Sequence, residues 1–167
     1  SISYGLSGGI DLLLEIGEDP TFITPDGRCA LSHACFINRR VDGKDSSYEI
    51  IEKLLTAIGD RNIEPINKNK SGPIQWICQS KSPQIAKLIF DSHPEVDVNR
   101  IDENFISAPV TLAKKDMPTN EIIDMLNMFI ERGYELNKFD LEKGQKTILE
   151  SFCFTFKPNL EIVNFLL

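Results

Sequence analysis

Histidine, tryptophan, cysteine, positive charge and long apolar runs are all scarce in this chain. Its 167 residues hold two histidines, one tryptophan and four cysteines. The cysteines, Cys29, Cys35, Cys78 and Cys153, are too few for the disulfide framework of a small secreted domain. Each falls within a segment of helical pattern, so all four read as reduced, small core residues. No apolar run approaches the roughly 18 residues of a membrane-spanning helix, and no membrane insertion is expected. The opening SISYGLSGG lacks the basic and apolar blocks of a secretory signal. Its start without Met, at Ser-Ile-Ser, reads as that of an excised fragment. There is no P-loop, no dinucleotide fingerprint and no His-Glu-x-x-His.

Lys and Arg number 18 against 25 Asp and Glu, a formal charge of −7 with a pI near 4.9. That balance argues against a nucleic-acid partner, because such affinity rests on neutralising phosphates. An acidic chain retains the capacity to bind basic segments of a partner protein. Apolar residues make up 41%, enough to bury a core and to exclude wholesale disorder. The length is that of one domain.

Strand-like alternation is nearly absent, and helical periodicity dominates. In residues 121–132, Ile122, Met125, Leu126, Phe129 and Ile130 share one face, and Asp124, Asn127 and Glu131 the other. One pattern also recurs at roughly 33–45 residues, the sign of a stacked-repeat protein. Its clearest copy is NLEIVNFLL (159–167), echoed by YEIIEKLL (48–55), PQIAKLIF (83–90) and IIDMLNMFIERG (122–133). A half copy, IDLLLEIGEDP, occupies 10–20. The expected fold is all-α, with paired antiparallel helices joined by projecting turns.

The turn-to-helix junctions make the pattern specific. Asp26-Gly27-Arg28-Cys29-Ala30-Leu31-Ser32-His33-Ala34-Cys35 is the first. The others begin at Pro73-Ile74-Gln75-Trp76, Ala108-Pro109-Val110-Thr111 and Thr147-Ile148-Leu149-Glu150. Second-helix endings recur as Gly17-Glu18-Asp19-Pro20, Val96-Asp97-Val98-Asn99 and Gly133-Tyr134-Glu135-Leu136-Asn137. Together these resemble the ankyrin repeat family, whose units carry Asp-x-x-Gly-x-Thr-Pro-Leu-His-x-Ala and later Gly-Ala-Asp-x-Asn. The resemblance implies a helix-turn-helix repeat solenoid. Its parts would be a flexible leader (1–9), a half repeat (10–22) and repeats at 23–66, 67–99, 100–137 and 138–167, the last truncated. Pro73 and Pro109 suit a helix's first turn, where the missing N–H costs nothing. Small residues such as Ala34, Ala86 and Ala113 let neighbouring helices approach closely. One such unit has too little core, so about three or more must stack.

The family's usual His is replaced by Ser32, Gln75, Thr111 and Glu150, so its hydrogen bond between turns must be replaced. Gly is missing from the third turn, and the second, NKNKSG (67–72), is short. INRRVDGKDSS (37–47) and KKDMPTN (114–120) are insertions that read as helix-to-helix loops. The last helix is expected to leave Ile162, Val163, Phe165, Leu166 and Leu167 partly exposed, so the native chain is expected to continue and cap it.

Candidate chemistry is thin. Gly5-Leu6-Ser7-Gly8-Gly9 matches a nucleophile elbow but lacks the strand that must precede it, and Ser7 reads better as a cap. Cys29, His33 and Cys35 lie close together but lack a complementary ligand pair, so core packing is expected and no metal or cofactor. Asn69-Lys70-Ser71 matters as a glycosylation sequon only in a secreted protein. Trp76 reads as core filling, with an aromatic anchor as the alternative. The resemblance implies contacts on a concave face: Phe36 and Phe154, which follow the helix starts, Gln79 and Lys115 at the matching positions of the middle repeats, and Trp76, just inside the first helix of the second repeat, beside the groove. It also implies contacts at the turn tips Asp26, Arg28, Asn69, Glu103, Asn104 and Glu142.

The expected function is protein–protein recognition without enzymatic activity, in the cytoplasm, with the oligomeric state open. The degenerate repeats look like those of eukaryotic scaffold proteins and of effectors that intracellular bacteria deliver into host cells. The alternatives are the targeting segment of a larger enzyme and a structural spacer.

Overall fold

The computed structural model describes residues 2–25, 28–41, 44–63, 72–102, 107–136, 147–155 and 158–167, with side chains except at 2–7 and 40. Regular structure is almost entirely helical: α1 (Ile2–Glu15), α2 (Ala30–Ile37), α3 (Tyr48–Ile58), α4 (Pro73–Ser80) and α5 (Pro83–Ser92). A 3₁₀ helix (Ala108–Lys114) follows, then α6 (Thr119–Glu131), α7 (Ile148–Cys153) and α8 (Leu160–Leu166). Strands β1 (Arg40–Val41) and β2 (Lys44–Asp45) pair antiparallel, Arg40 opposite Asp45 and Val41 opposite Lys44.

Two rows of helices result. In one, α2, α4, the 3₁₀ helix and α7 pack in series. In the other, α1, α3, α5, α6 and α8 do the same. Across the rows α2 meets α3, α4 meets α5, the 3₁₀ helix meets α6, and α7 meets α8. The core lies between them. Helix α3 turns Ile50, Ile51, Leu54, Leu55 and Ile58 inward, one stripe at helical spacing. Helix α4 is buried nearly all round, as a helix with neighbours on three sides must be.

Local chemistry explains the helix ends. Ser32, Gln75 and Glu150, at positions where the resemblance would place a His, serve their own helix. Ser32 Oγ accepts from Cys29 N at 3.0 Å, Gln75 Oε1 from Gly72 N at 2.8 Å, and Glu150 Oε2 from Thr147 N at 2.9 Å. At Cys29 and Thr147 this is the return bond of a capping box, while Gln75 makes the bond alone because Gly72 has no side chain; each satisfies an N–H at a helix start. Gly17 (φ 91) and Gly133 (φ 84) close α1 and α6 alike. Glu18 N reaches Leu13 O at 3.0 Å and Tyr134 N reaches Phe129 O at 2.9 Å. That is a Schellman closure, and its left-handed residue favours glycine.

Several expectations are corrected. Helix α1 begins at Ile2, so residues 2–9 are helical where a flexible leader was expected. Packing of α1 on α3 holds its C-terminal part, and each residue added backward gains a hydrogen bond. Nothing lies within 4 Å of a Cβ built on Gly8 or Gly9. Gly8→Ala/Gly9→Ala should therefore stabilise the helix by about 1–2 kcal/mol. Circular dichroism should show more helix and a higher thermal midpoint; a lower midpoint would mean α1 does not extend through the glycines.

The third first-row helix is 3₁₀. Its N-cap, Ser107, makes no capping bond, and its hydroxyl lies 2.8 Å from the Tyr134 hydroxyl instead. Val110 and Thr111 are β-branched, and Thr111 Oγ1 donates to Ala108 O at 2.7 Å, drawing that carbonyl away from helical pairing. The 37–47 insertion is a strand pair, not a simple loop. Asp42-Gly43, a hairpin signal in sequence, lies between the strands outside the described residues. Ile130 is 37% exposed at the edge of the α6 stripe, and Cys153 is exposed on the solvent side of α7. Cys35 and Cys78 are buried, and burial pushes both thiols well up. Ile162 is buried, Val163, Phe165 and Leu166 are half-buried, and Leu167 is exposed.

Candidate partner-binding face

Phe36, Gln79, Lys115 and Phe154 all sit at the C-terminal ends of first-row helices. Phe36 and Gln79 are the penultimate residues of α2 and α4, and Lys115 and Phe154 cap the 3₁₀ helix and α7. Because those helices pack in series, the four form a line. Lys115 Nζ donates to Gln79 Oε1 at 2.7 Å, bringing the middle two together. Phe36 and Phe154 are 70% and 79% exposed. A side chain that exposed leaves most of the roughly 1.5–3 kcal/mol of burying a Phe unrealised in the free protein.

Burial and the nearby Lys81 hold the Lys115 ammonium below the usual lysine range. Lys81 caps α4 in the left-handed conformation (φ 55) and is exposed. No sequence motif marked it.

Trp76 is not on this line. It is 6% exposed, under Pro20, Thr21, Ile23 and Leu31 beside a void of about 50 Å³. It fills core between Pro20, Thr21, Ile23 and Leu31 on one side and α4 on the other, so it does not reach the surface as a contact. Arg28 is exposed but lies at the start of α2, where its N–H donates to Thr24 Oγ1 at 3.0 Å. Asp26, Asn69, Glu103, Asn104 and Glu142 lie outside the described residues.

Beside Arg28 opens a groove of about 530 Å³. Ile10, Leu13 and Leu14 of α1, Phe22, Ala34 and Ile37 of α2, and Ile50 and Leu54 of α3 line it. Its apolar walls suit apolar groups, and Glu18, Asp19, Arg28 and His33 supply polar atoms. His33 thus faces a groove, Cys29 Sγ accepts from Ser32 N at 3.4 Å, and Cys35 is in the core. Among the described residues no three His, Cys, Asp or Glu gather as metal ligands. None of the described helices is long and apolar enough to cross a membrane.

His93 is the other histidine. It is 1% exposed at the end of α5, its Nδ1 3.0 Å from Glu95 Oε1. It belongs to the second row, away from the line of exposed residues. A scan against protein-family models and a search of curated proteins each return no match.

Proposed function

We propose that this chain is an ankyrin-like solenoid that recognises a protein partner through the line of first-row helix ends. The single observation that carries the reading is the pair of exposed rings, Phe36 and Phe154, at corresponding places on that line. Buried aromatics are the usual anchors of an interface, and these two are unburied while the chain is alone.

Support for the solenoid comes from hydrogen bonds that recur at one unit's spacing. Lys53 reaches Asp11 and Arg61 reaches Asp19, both 42 residues away. Lys115 meets Gln79 across 36 residues, and Asn159 meets Thr119 across 40. Asn99 binds Gly133 O and Glu135 N, 34 and 36 residues on. Units tied at one period form a stiff scaffold, and a preformed face spends little on ordering itself when it binds.

The test is affinity capture from cell lysate with mass-spectrometric identification, comparing the parent chain with Phe36→Ala/Phe154→Ala. Both residues are exposed, so circular dichroism should be unchanged. Recovery of a specific protein should fall at least about tenfold in the variant. A partner bound equally by both chains would move recognition off this face, and capture of nothing specific by the parent would count against the function.

A further inference from the structure

The chain is acidic as a whole, yet the line of first-row helix ends is not. Arg39 lies just past α2, Lys81 caps α4, and Lys114 and Lys115 end the 3₁₀ helix. Hydrogen bonds place these ends side by side. Asn38 Nδ2 donates to Ser80 O at 3.0 Å, tying the Arg39 corner to the Lys81 corner. The Lys115–Gln79 bond ties the Lys81 corner to the next. Among the described residues two carboxylates lie nearby. Asp45 accepts from Asn38 and Ser82, and Asp116 follows Lys115 in sequence, exposed. Neither forms an ion pair with Arg39, Lys81 or Lys115.

A cation at a helix C-terminus complements the helix dipole, which accounts for Lys81 taken alone. It does not account for Lys81 being set where it repels a half-buried Lys115. Held together with no ion-paired carboxylate among the described residues, these like charges destabilise the free protein. An external anion relieves that repulsion.

We propose, building on the recognition reading above, that this edge takes an acidic, extended polypeptide segment whose carboxylates meet Arg39, Lys81 and Lys115 in turn. Packed helices lie about 8–10 Å apart, and a segment extended as polyproline II advances about 3.1 Å per residue with three residues per turn, so every third side chain shares a face. Successive cations therefore match acidic side chains at about every third residue. Phe36, beside Arg39 at the end of α2, gives an apolar side chain of the segment a surface to cover. A long nucleic acid fits less well, since the net charge of −7 repels a polyanion beyond this edge.

The probe is a fluorescein-labelled peptide of about 12 residues, with Glu at every third position among Gly and Ser and one Leu near its end. Its binding is read by fluorescence anisotropy at low salt, where exposed ion pairs are least screened. Lys81→Gln/Lys115→Gln should weaken binding about tenfold. Lys87→Gln removes a cation from the second row, where Lys87 pairs with Asp91, and should leave binding unchanged. Four results overturn the proposal. These are equal binding of a peptide with its Glu residues clustered, tighter binding of a single-stranded oligonucleotide, equal weakening by Lys87→Gln, and no binding to a folded parent chain. A lysate partner lost with Phe36→Ala/Phe154→Ala, while the peptide fails, would sink only the acidic chemistry and leave recognition standing.

Discussion

Phe90→Ala is expected to destabilise the chain by about 3–5 kcal/mol, the usual cost of emptying a buried aromatic site. Phe90 on α5 is fully buried, and its ring meets that of Phe129 on α6 edge-on, with centroids 5.8 Å apart. The Arg132 guanidinium covers the ring, 4.3 Å from its centroid. Losing the ring thus removes a packing surface, an aromatic pair worth about 0.5–1.5 kcal/mol beyond its area, and a cation–π contact. Its position makes the effect specific. Phe90 joins α5 to α6, and this contact, with that of α4 on the 3₁₀ helix, couples the two halves. Urea titration followed by circular dichroism should show a lower midpoint and a transition that broadens or splits in two. Phe90→Leu should cost less and keep the transition single. A loss under about 1 kcal/mol in Phe90→Ala would mean that the ring is not packed between the halves.

Asn38→Ala should cost about 2–4 kcal/mol, an unusual amount for one half-buried polar residue. Asn38 Nδ2 donates to Asp45 Oδ1 at 2.9 Å and to Ser80 O at 3.0 Å, and its Oδ1 accepts from Ser47 N at 3.1 Å. These bonds tie the strand pair, the start of α3 and the end of α4 to one side chain. Each contributes about 0.5–1.5 kcal/mol net, and removing Asn38 also strands Ser47 N in a buried place. Asn38→Asp keeps the acceptor but replaces the amide donor with a carboxylate facing Asp45, and should cost a similar amount. Thermal denaturation measures both. A midpoint unchanged in Asn38→Ala would show that the insertion is held by something other than this network.

Much of the second row was legible in sequence. Ile122, Met125, Leu126 and Phe129 recur at three- and four-residue steps, and all are buried. Gly17 and Gly133 marked helix ends because only a residue at ease with positive φ closes a helix that way. The exposure of Phe36 and Phe154 was also expected, from the place the family resemblance gives to residues that follow its helix starts.

Other features were not. The insertion at 37–47 reads as polar and loop-like because its stabilising partners, Ser80 and Ser82, lie far along the chain. The third unit was expected to start with an ordinary helix, and the outcome turned on Ser107 bonding Tyr134 rather than capping.

The sequence alone therefore determined most of the helical segments, where most of them end and which side of each is apolar. Those properties follow from spacings within about two turns of chain, and local periodicity encodes them. Only the tertiary structure decided that Trp76 is core, that Lys115 meets Gln79 beside Lys81, and that α1, α2 and α3 enclose a groove. Each depends on contacts between residues tens of positions apart. Such contacts are set by how helices distant in sequence dock on one another, and no local spacing records that.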